Sequence, residues 1–172
     1  MTEIDAILDR LANDDTCVMS PPCGLPQVAE GLLLPADVVR FYERVGGMVL
    51  HKDGRCGSWA RIVTPREFNR IDAVILGGEM FATGPFEYWH AIVDVQDGNY
   101  LAVDIGSEHS GKCLDCFHET FAMPGYVSVV ASSFTDLLLR MMKHIEDSAF
   151  WLQDEFEALG EGFALYGYKA LA

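Results

Sequence analysis

The residues most suggestive of chemistry sit between positions 106 and 118. They are Gly106-Ser-Glu-His-Ser-Gly111-Lys112-Cys113, continuing as Cys113-Leu-Asp-Cys116 with Phe117 and His118 behind. The first run has the GxxxxGK spacing of a loop that cradles phosphates. Such a loop needs a Ser or Thr after the lysine to hold magnesium, and a long helix whose N-terminus faces the phosphates. Here Cys113 stands where the hydroxyl belongs, Pro124-Gly125 cuts short any helix that follows, and Glu108 adds a negative charge inside the loop. The run therefore reads as a surface turn between strands, not as a nucleotide site.

Cys113 and Cys116 have the spacing of a redox pair or half a zinc site. A structural zinc takes four ligands, and Cys17, Cys23 and Cys56 are scattered singly; haem attachment requires the histidine directly after the second cysteine. On a strand, residues three apart point to opposite faces, which separates the two sulfurs further. Two ordinary thiols are expected, with an enzyme or a metal or redox protein using Cys113 and Cys116 as a distant alternative. His51, His90, His109, His118 and His144 are dispersed, without an HExxH helix or a nucleophile elbow beside them. His90, between Trp89 and Ala91 in a strand-like run, reads as a hydrogen-bonded structural histidine. The paired carboxylates Asp14 and Asp15, or Asp94 and Asp97, read as solvated surface charge in so acidic a chain. The expectation is a protein with no catalytic residue, no metal and no cofactor: not an enzyme.

The charge balance narrows the partner. Lys and Arg number 12 against 26 Asp and Glu among 172 residues, a formal net charge of −14. Such a surface repels phosphate backbones and attracts cationic surfaces, so nucleic acid is an unfavourable ligand and a basic protein a favourable one. Half the residues are hydrophobic, enough for one domain to bury a core without staples. The longest apolar runs, Leu32–Leu34 and Leu137–Met142, fall far short of the roughly 18 residues of a membrane span. The acidic start MTEIDAILDRLANDD lacks the features of a secretion signal. Five unevenly spaced cysteines do not read as a disulfide framework. A cytoplasmic location is expected.

The elements that must position these residues follow from periodicity. Ile4, Ile7, Leu8 and Leu11 define one face of a helix over 3–13, with Thr2 and Asp5 as its capping box. Pro21, Pro22, Gly24 and Pro26 mark a connector. A helix begins at Pro35, buries Val38, Val39, Phe41, Tyr42 and Val45, and stops at Gly46-Gly47. MVLH and SWARIV, with a turn at Lys52-Asp53-Gly54 between them, form a hairpin. Thr64-Pro-Arg-Glu67 is a capping box that should open a short helix carrying Phe68 and Ile71 inward. The stretch 72–86 gives no clear pattern. YWHAIVDV and YLAVDI flank Gln96-Asp97-Gly98-Asn99, an Asp-Gly hairpin turn. Further strands are expected over Lys112–Phe117 and Tyr126–Ala131, and Ser132 or Ser133 then caps a long helix carrying Phe134, Leu137, Leu138, Met141, Ile145, Ala149, Leu152 and Phe156. The apolar tail, with Phe163, Leu165, Tyr166 and Tyr168, is expected to dock on the body or on a partner.

In order and spacing these segments resemble the SUKH superfamily, the fungal Smi/Knr cell-wall regulators and bacterial immunity proteins. The resemblance is carried by LPADVVRFYERVGG (Leu34 to Gly47), by WHAIVDV with QDGNYLAVDI, by the strand entry Gly111-Lys112-Cys113, and by VVASSFTDLLLRM (Val129 to Met141). It departs at Val45, where the family commonly has asparagine, and finds no match in 72–86 or after Asp147. It covers about residues 25–145 and implies an α+β fold, a mostly antiparallel sheet flanked by helices in a single domain over 1–172, with a C-terminal helical extension and tail over 147–172. It also implies a binding protein without catalytic residues, often one that neutralises a toxin, frequently a nuclease, and it makes Asp104 partly structural. A regulatory or scaffold protein of the cell-wall type is the alternative.

Combined with the charge, the expectation is an acidic binding surface for a basic toxin domain, with carboxylates standing in for nucleic acid. The carboxylates around the hairpins, Asp94, Asp97, Asp104 and Glu108, are its candidate residues, and Phe41, Trp89 and Phe134 its core anchors.

Overall fold

The computed structural model describes residues 2–50, 60–82, 84–95, 98–146 and 157–169. The hairpin turn at Lys52-Asp53-Gly54, the turn residue Asp97, and Ala149, Leu152 and Phe156 of the long helix lie outside the described residues. Among those described, seven strands form one antiparallel sheet in which spatial order equals chain order. They are β1 (Val18–Met19), β2 (Met48–Leu50), β3 (Ala60–Ile62), β4 (Trp89–Asp94), β5 (Tyr100–Asp104), β6 (Cys113–Cys116) and β7 (Ser128–Ala131). Helices α1 (Glu3–Ala12), α2 (Ala36–Arg44), α3 (Ile71–Leu76), α4 (Phe134–Glu146) and α5 (Gly162–Leu165) flank it in an α+β architecture. No helix among the described residues is long and apolar enough to cross a membrane.

One sheet face is closed by α1, α2 and α4. Thr2 and Asp5 make the reciprocal capping box of α1, turning Ile4, Ile7, Leu8 and Leu11 inward. The Asp5 carboxylate then takes Arg40 Nε at 2.9 Å and Arg44 Nη1 at 3.2 Å, fastening α1 to α2. Hydrogen bonds from Thr2 first, then from the two arginines, hold its carboxyl below the usual carboxylate range. In α2, Val38, Phe41 and Tyr42 are buried, with Pro35 one residue ahead of the first helical turn. Ser133 Oγ accepts from the Asp136 amide to cap α4, and the Thr135 amide and hydroxyl both donate to Asp37 Oδ2, at 2.8 and 3.0 Å. Phe41 meets Phe134 edge-on at 5.3 Å, and the Tyr42 hydroxyl donates to Val63 O at 2.9 Å. Both phenylalanines are fully buried.

The opposite face is covered over β4–β7 alone, by α3, a 3₁₀ turn (Pro85–Glu87), the turn at 117–123 and α5. Trp89, also fully buried, packs here with Phe86 (5.7 Å) and Phe163 (5.2 Å), and Phe86 also contacts Phe121 (5.7 Å). Burial on one or two faces explains the two strand patterns. In β2 and β3 the middle residues Val49 and Arg61 are only half-buried, whereas β5 is buried from Leu101 to Asp104.

One local expectation changes. Only half of the expected capping box forms: the Thr64 amide and hydroxyl donate to Glu67 Oε2 at 2.9 and 2.7 Å, but the Glu67 amide goes to the Thr64 carbonyl and not to its side chain, and only a turn follows. Asn69 O accepts from the Ala91 amide and Arg70 bridges to His90, so the chain is held extended beside β4 and the helix starts at Ile71. The tail docks on the body: Leu159, Gly160 and Gly162 exchange backbone hydrogen bonds with Val127 and Val129 along the outer edge of β7. Phe163 then enters the aromatic cluster.

Candidate functional site

Cys113 and Cys116 are both buried, on opposite faces of β6, and burial pushes both thiols well above their ordinary value. They form neither a redox pair nor a shared ligand set. No group of three or more His, Cys, Asp or Glu among the described residues is arranged to hold a metal ion.

The GxxxxGK spacing is a turn from β5 into β6. Four of its amides are engaged within the turn: Gly106 N donates to Asp104 Oδ1 at 2.8 Å, His109 N to Gly106 O at 3.2 Å, Gly111 N to Asp104 O at 2.8 Å, and Lys112 N to His109 O at 3.1 Å. A phosphate there would meet the Glu108 carboxylate, and a strand, not a helix, follows.

The four candidate carboxylates are not brought together. Asp94 stands opposite Tyr100 at the closed end of the β4–β5 hairpin, where Arg61 Nη2 reaches it at 3.0 Å while holding Glu67 at 2.6 Å. Asp97 lies outside the described residues. Glu108 is exposed at the tip of the β5–β6 turn. Asp104 is the correction: it is 0 % exposed and presents nothing to a partner. It pairs with Trp89 at the open end of the hairpin, and its strand alternation turns the side chain into the aromatic face. Trp89 Nε1 donates to its Oδ2 at 3.1 Å and the Tyr166 hydroxyl to the same oxygen at 2.6 Å, while Gly106 N takes Oδ1. Burial pushes the Asp104 carboxyl up, and the three donors oppose that shift. Burial, then the bond to Asp104, holds the Tyr166 phenol protonated.

Around this fixed point the surface is concave. One cavity of about 680 Å³ is lined by Gly31, Leu32 and Leu33 on one wall, Gly106, Ser107, Glu108 and Ser110 on the other, and Tyr88, Ile105 and Tyr166 beneath. A second, of about 450 Å³, shares Gly31, Leu32 and Tyr88 with it and runs on past Glu30, Phe68, Arg70, Glu79, Glu87 and His90. Together they make one groove beside the start of β4. Tyr88 and Tyr166 stack at 5.6 Å with planes 7° apart, and His109 meets the Tyr166 ring edge-on at 5.0 Å while its Nε2 donates to Leu165 O at 3.0 Å. Gly106 is required here, because a Cβ would lie 2.9 Å from the Tyr166 hydroxyl and 3.0 Å from the Tyr88 ring. His90, stacked on Phe68 at 5.2 Å, is pushed by burial down to about 4 and stays neutral.

Of the groove's residues, sequence reasoning placed only Glu108. Tyr88 opens an ordinary strand-like run, and Leu32–Leu33 read as part of a connector. The one usable signal was the density of aromatic residues in the tail.

No protein-family model matches the chain, and no solved structure matches it. Among curated proteins it is similar to immunity protein YokJ of Bacillus subtilis (strain 168), with 32% identity over 160 residues that span 93% of this chain and 95% of the relative. Sharing nearly its whole length at that identity, the chain belongs to the family of immunity protein YokJ.

Proposed function

We propose that the chain is itself an immunity protein, a non-catalytic binder that neutralises a toxin protein by covering a basic functional surface with its own acidic one. The observation that carries this reading is the similarity to YokJ along 93% of the chain, which leaves no large segment free for a different activity. The net charge of −14 supports a cationic partner, such as a nuclease whose cleft normally holds phosphates. Membership of the SUKH superfamily fits the seven-strand antiparallel sheet flanked by helices and is part of the same proposal.

The test is to express the chain with the product of the adjacent gene. Protection of the host cell and a stable complex are expected, with an association rate that falls steeply as salt rises and a dissociation rate that changes less. A neighbouring product that is harmless, or that the chain neither binds nor inhibits, would refute the reading.

A further inference from the structure

We infer that the groove between the Gly31–Leu33 loop and the Gly106–Ser110 turn is the seat for an arginine- or lysine-bearing loop of the toxin, an assignment that rests on the toxin-binding role proposed above.

The groove is concave, partly apolar and one-sided in charge. Its rim carries Glu30, Glu79, Glu87 and Glu108, all exposed, against Arg70 as the one Lys or Arg lining either cavity among the described residues. Arg70 is already committed, with Nη2 on Asp72 Oδ2 at 2.7 Å and on Phe81 O at 2.7 Å, and Nη1 on Glu79 at 3.2 Å. It therefore neutralises its own pairs and leaves Glu30, Glu87 and Glu108 to set the local potential. His90 adds no positive charge, being neutral at physiological pH.

The floor suits a cation as well as the rim does. Aromatic faces attract guanidinium and ammonium groups, more strongly where water is partly excluded. The Tyr88–Tyr166 pair supplies that surface, and the buried Asp104 carboxylate accepts the Tyr166 hydroxyl at 2.6 Å from behind. A charge-accepting bond of this kind pushes electron density toward the ring. The phenol of Tyr88 is raised by its hydrogen bond to Glu87, by burial, and by the fields of Asp104 and Glu108, consistent with negative potential focused on this spot. Concave low-dielectric walls concentrate such a field. Leu33, 79% exposed on the outer wall, offers an apolar contact for the stem of an entering side chain. An anion would meet the charges of Glu30, Glu87 and Glu108 here, and a neutral apolar ligand would desolvate them without neutralising them.

Two measurements decide the matter. In the first, the double variant Glu30→Lys/Glu108→Lys, which reverses charge on both walls at exposed positions, is compared with Glu119→Lys on the turn after β6, beside the closed end of the hairpin. Binding to the toxin should weaken at least tenfold for the double variant and less than threefold for the control, with circular dichroism and unfolding midpoints unchanged. Undiminished toxin binding by the double variant would sink the groove assignment while leaving the immunity reading intact. In the second, the peptide acetyl-Gly-Arg-Gly-Arg-Gly-amide and its citrulline counterpart are titrated into isotope-labelled protein. Shifts confined to the amides of Gly31, Tyr88, Gly106 and Ser107, caused by the arginine peptide alone and lost in the double variant, are expected. Should the chain bind no toxin at all, this pattern would still support a cation seat after the immunity reading had failed. No shifts, or shifts spread over the acidic surface, would overturn it.

Discussion

On one side of the sheet, α1, α2 and α4 lay aliphatic side chains with Phe41 and Phe134 against the strands. On the other, α3, a 3₁₀ turn, the 117–123 turn and α5 bring Phe81, Phe86, Phe121 and Phe163 around Trp89. The helical side is fastened by charged pairs near its rim, Asp5 with Arg40 and Arg44, whereas the aromatic side is fastened by enclosed carboxylates, Asp104 with three donors and Asp72 with Arg70. The helical side thus depends on elements that hold themselves together locally. Both sides join distant segments, Asp37 with Thr135 on the helical side and Tyr88 with Tyr166 on the aromatic one, but on the aromatic side turns and short helices take the place of long ones, and the proposed seat lies where that assembly reaches the surface.

The largest expected effects compare one anchor from each side. Phe134→Ala should cost about 3–5 kcal/mol of global stability, seen in urea unfolding as a lower midpoint with amide protection reduced throughout. Phe163→Ala removes a similar volume, but the tail should release first, so exchange should speed up selectively at Val129, Leu159 and Gly162. Uniform loss of protection in both variants would mean that the two sides open as one unit.

Next come two carboxylates of the sheet, Asp104 buried and Asp115 half-buried. Asp104→Asn turns an amide toward donors that have no other acceptor, and should cost about 3 kcal/mol, read from the unfolding midpoint at pH 7. Asp115, on the helical side by strand alternation, has no hydrogen bond or ion pair among the described residues, and burial pushes it up to about 6. Its folded pKa lies above the unfolded value of 3.8, so its contribution is fully present below pH 3.8 and lost as pH rises through 6. Asp115→Asn should therefore stabilise the protein by about 3 kcal/mol at pH 7 and by almost nothing at pH 3.5. A gain of equal size at both values would show that the charge is not the cause.

The smallest expected effect is Tyr42→Phe on the helical side. It removes one neutral bond to Val63 O and should cost about 1 kcal/mol in the same unfolding assay.

The same contrast governs what could be read from the residues. Helices α1, α2 and α4 were legible because their apolar spacing and caps are local, and β4 and β5 because an Asp-Gly turn separates two apolar runs. The capping box at Thr64 misled, since pairing of Arg70 with His90 outweighs the propensity of a short segment. Helix α3 was hidden because Arg70, ahead of it, supplies no capping side chain. At the site, Glu108 was legible as a loop carboxylate. Asp104 was misplaced as a surface charge because nothing next to it in sequence announces Trp89 Nε1 and the Tyr166 hydroxyl as its donors.

The strand order has a consequence for how the chain is made. With each strand pairing to the one just before it, the sheet can grow in step with synthesis, using contacts that are short in sequence. Yet α4 and the segment 159–168, which help to close the two faces, both follow the last strand. On the ribosome the growing sheet must therefore wait with both apolar surfaces incompletely covered, a state open to chaperones and to misassembly. Chains stalled before Phe134 should bind a holdase and be cut readily by protease, and release of the remaining residues should bring protection in a single late step.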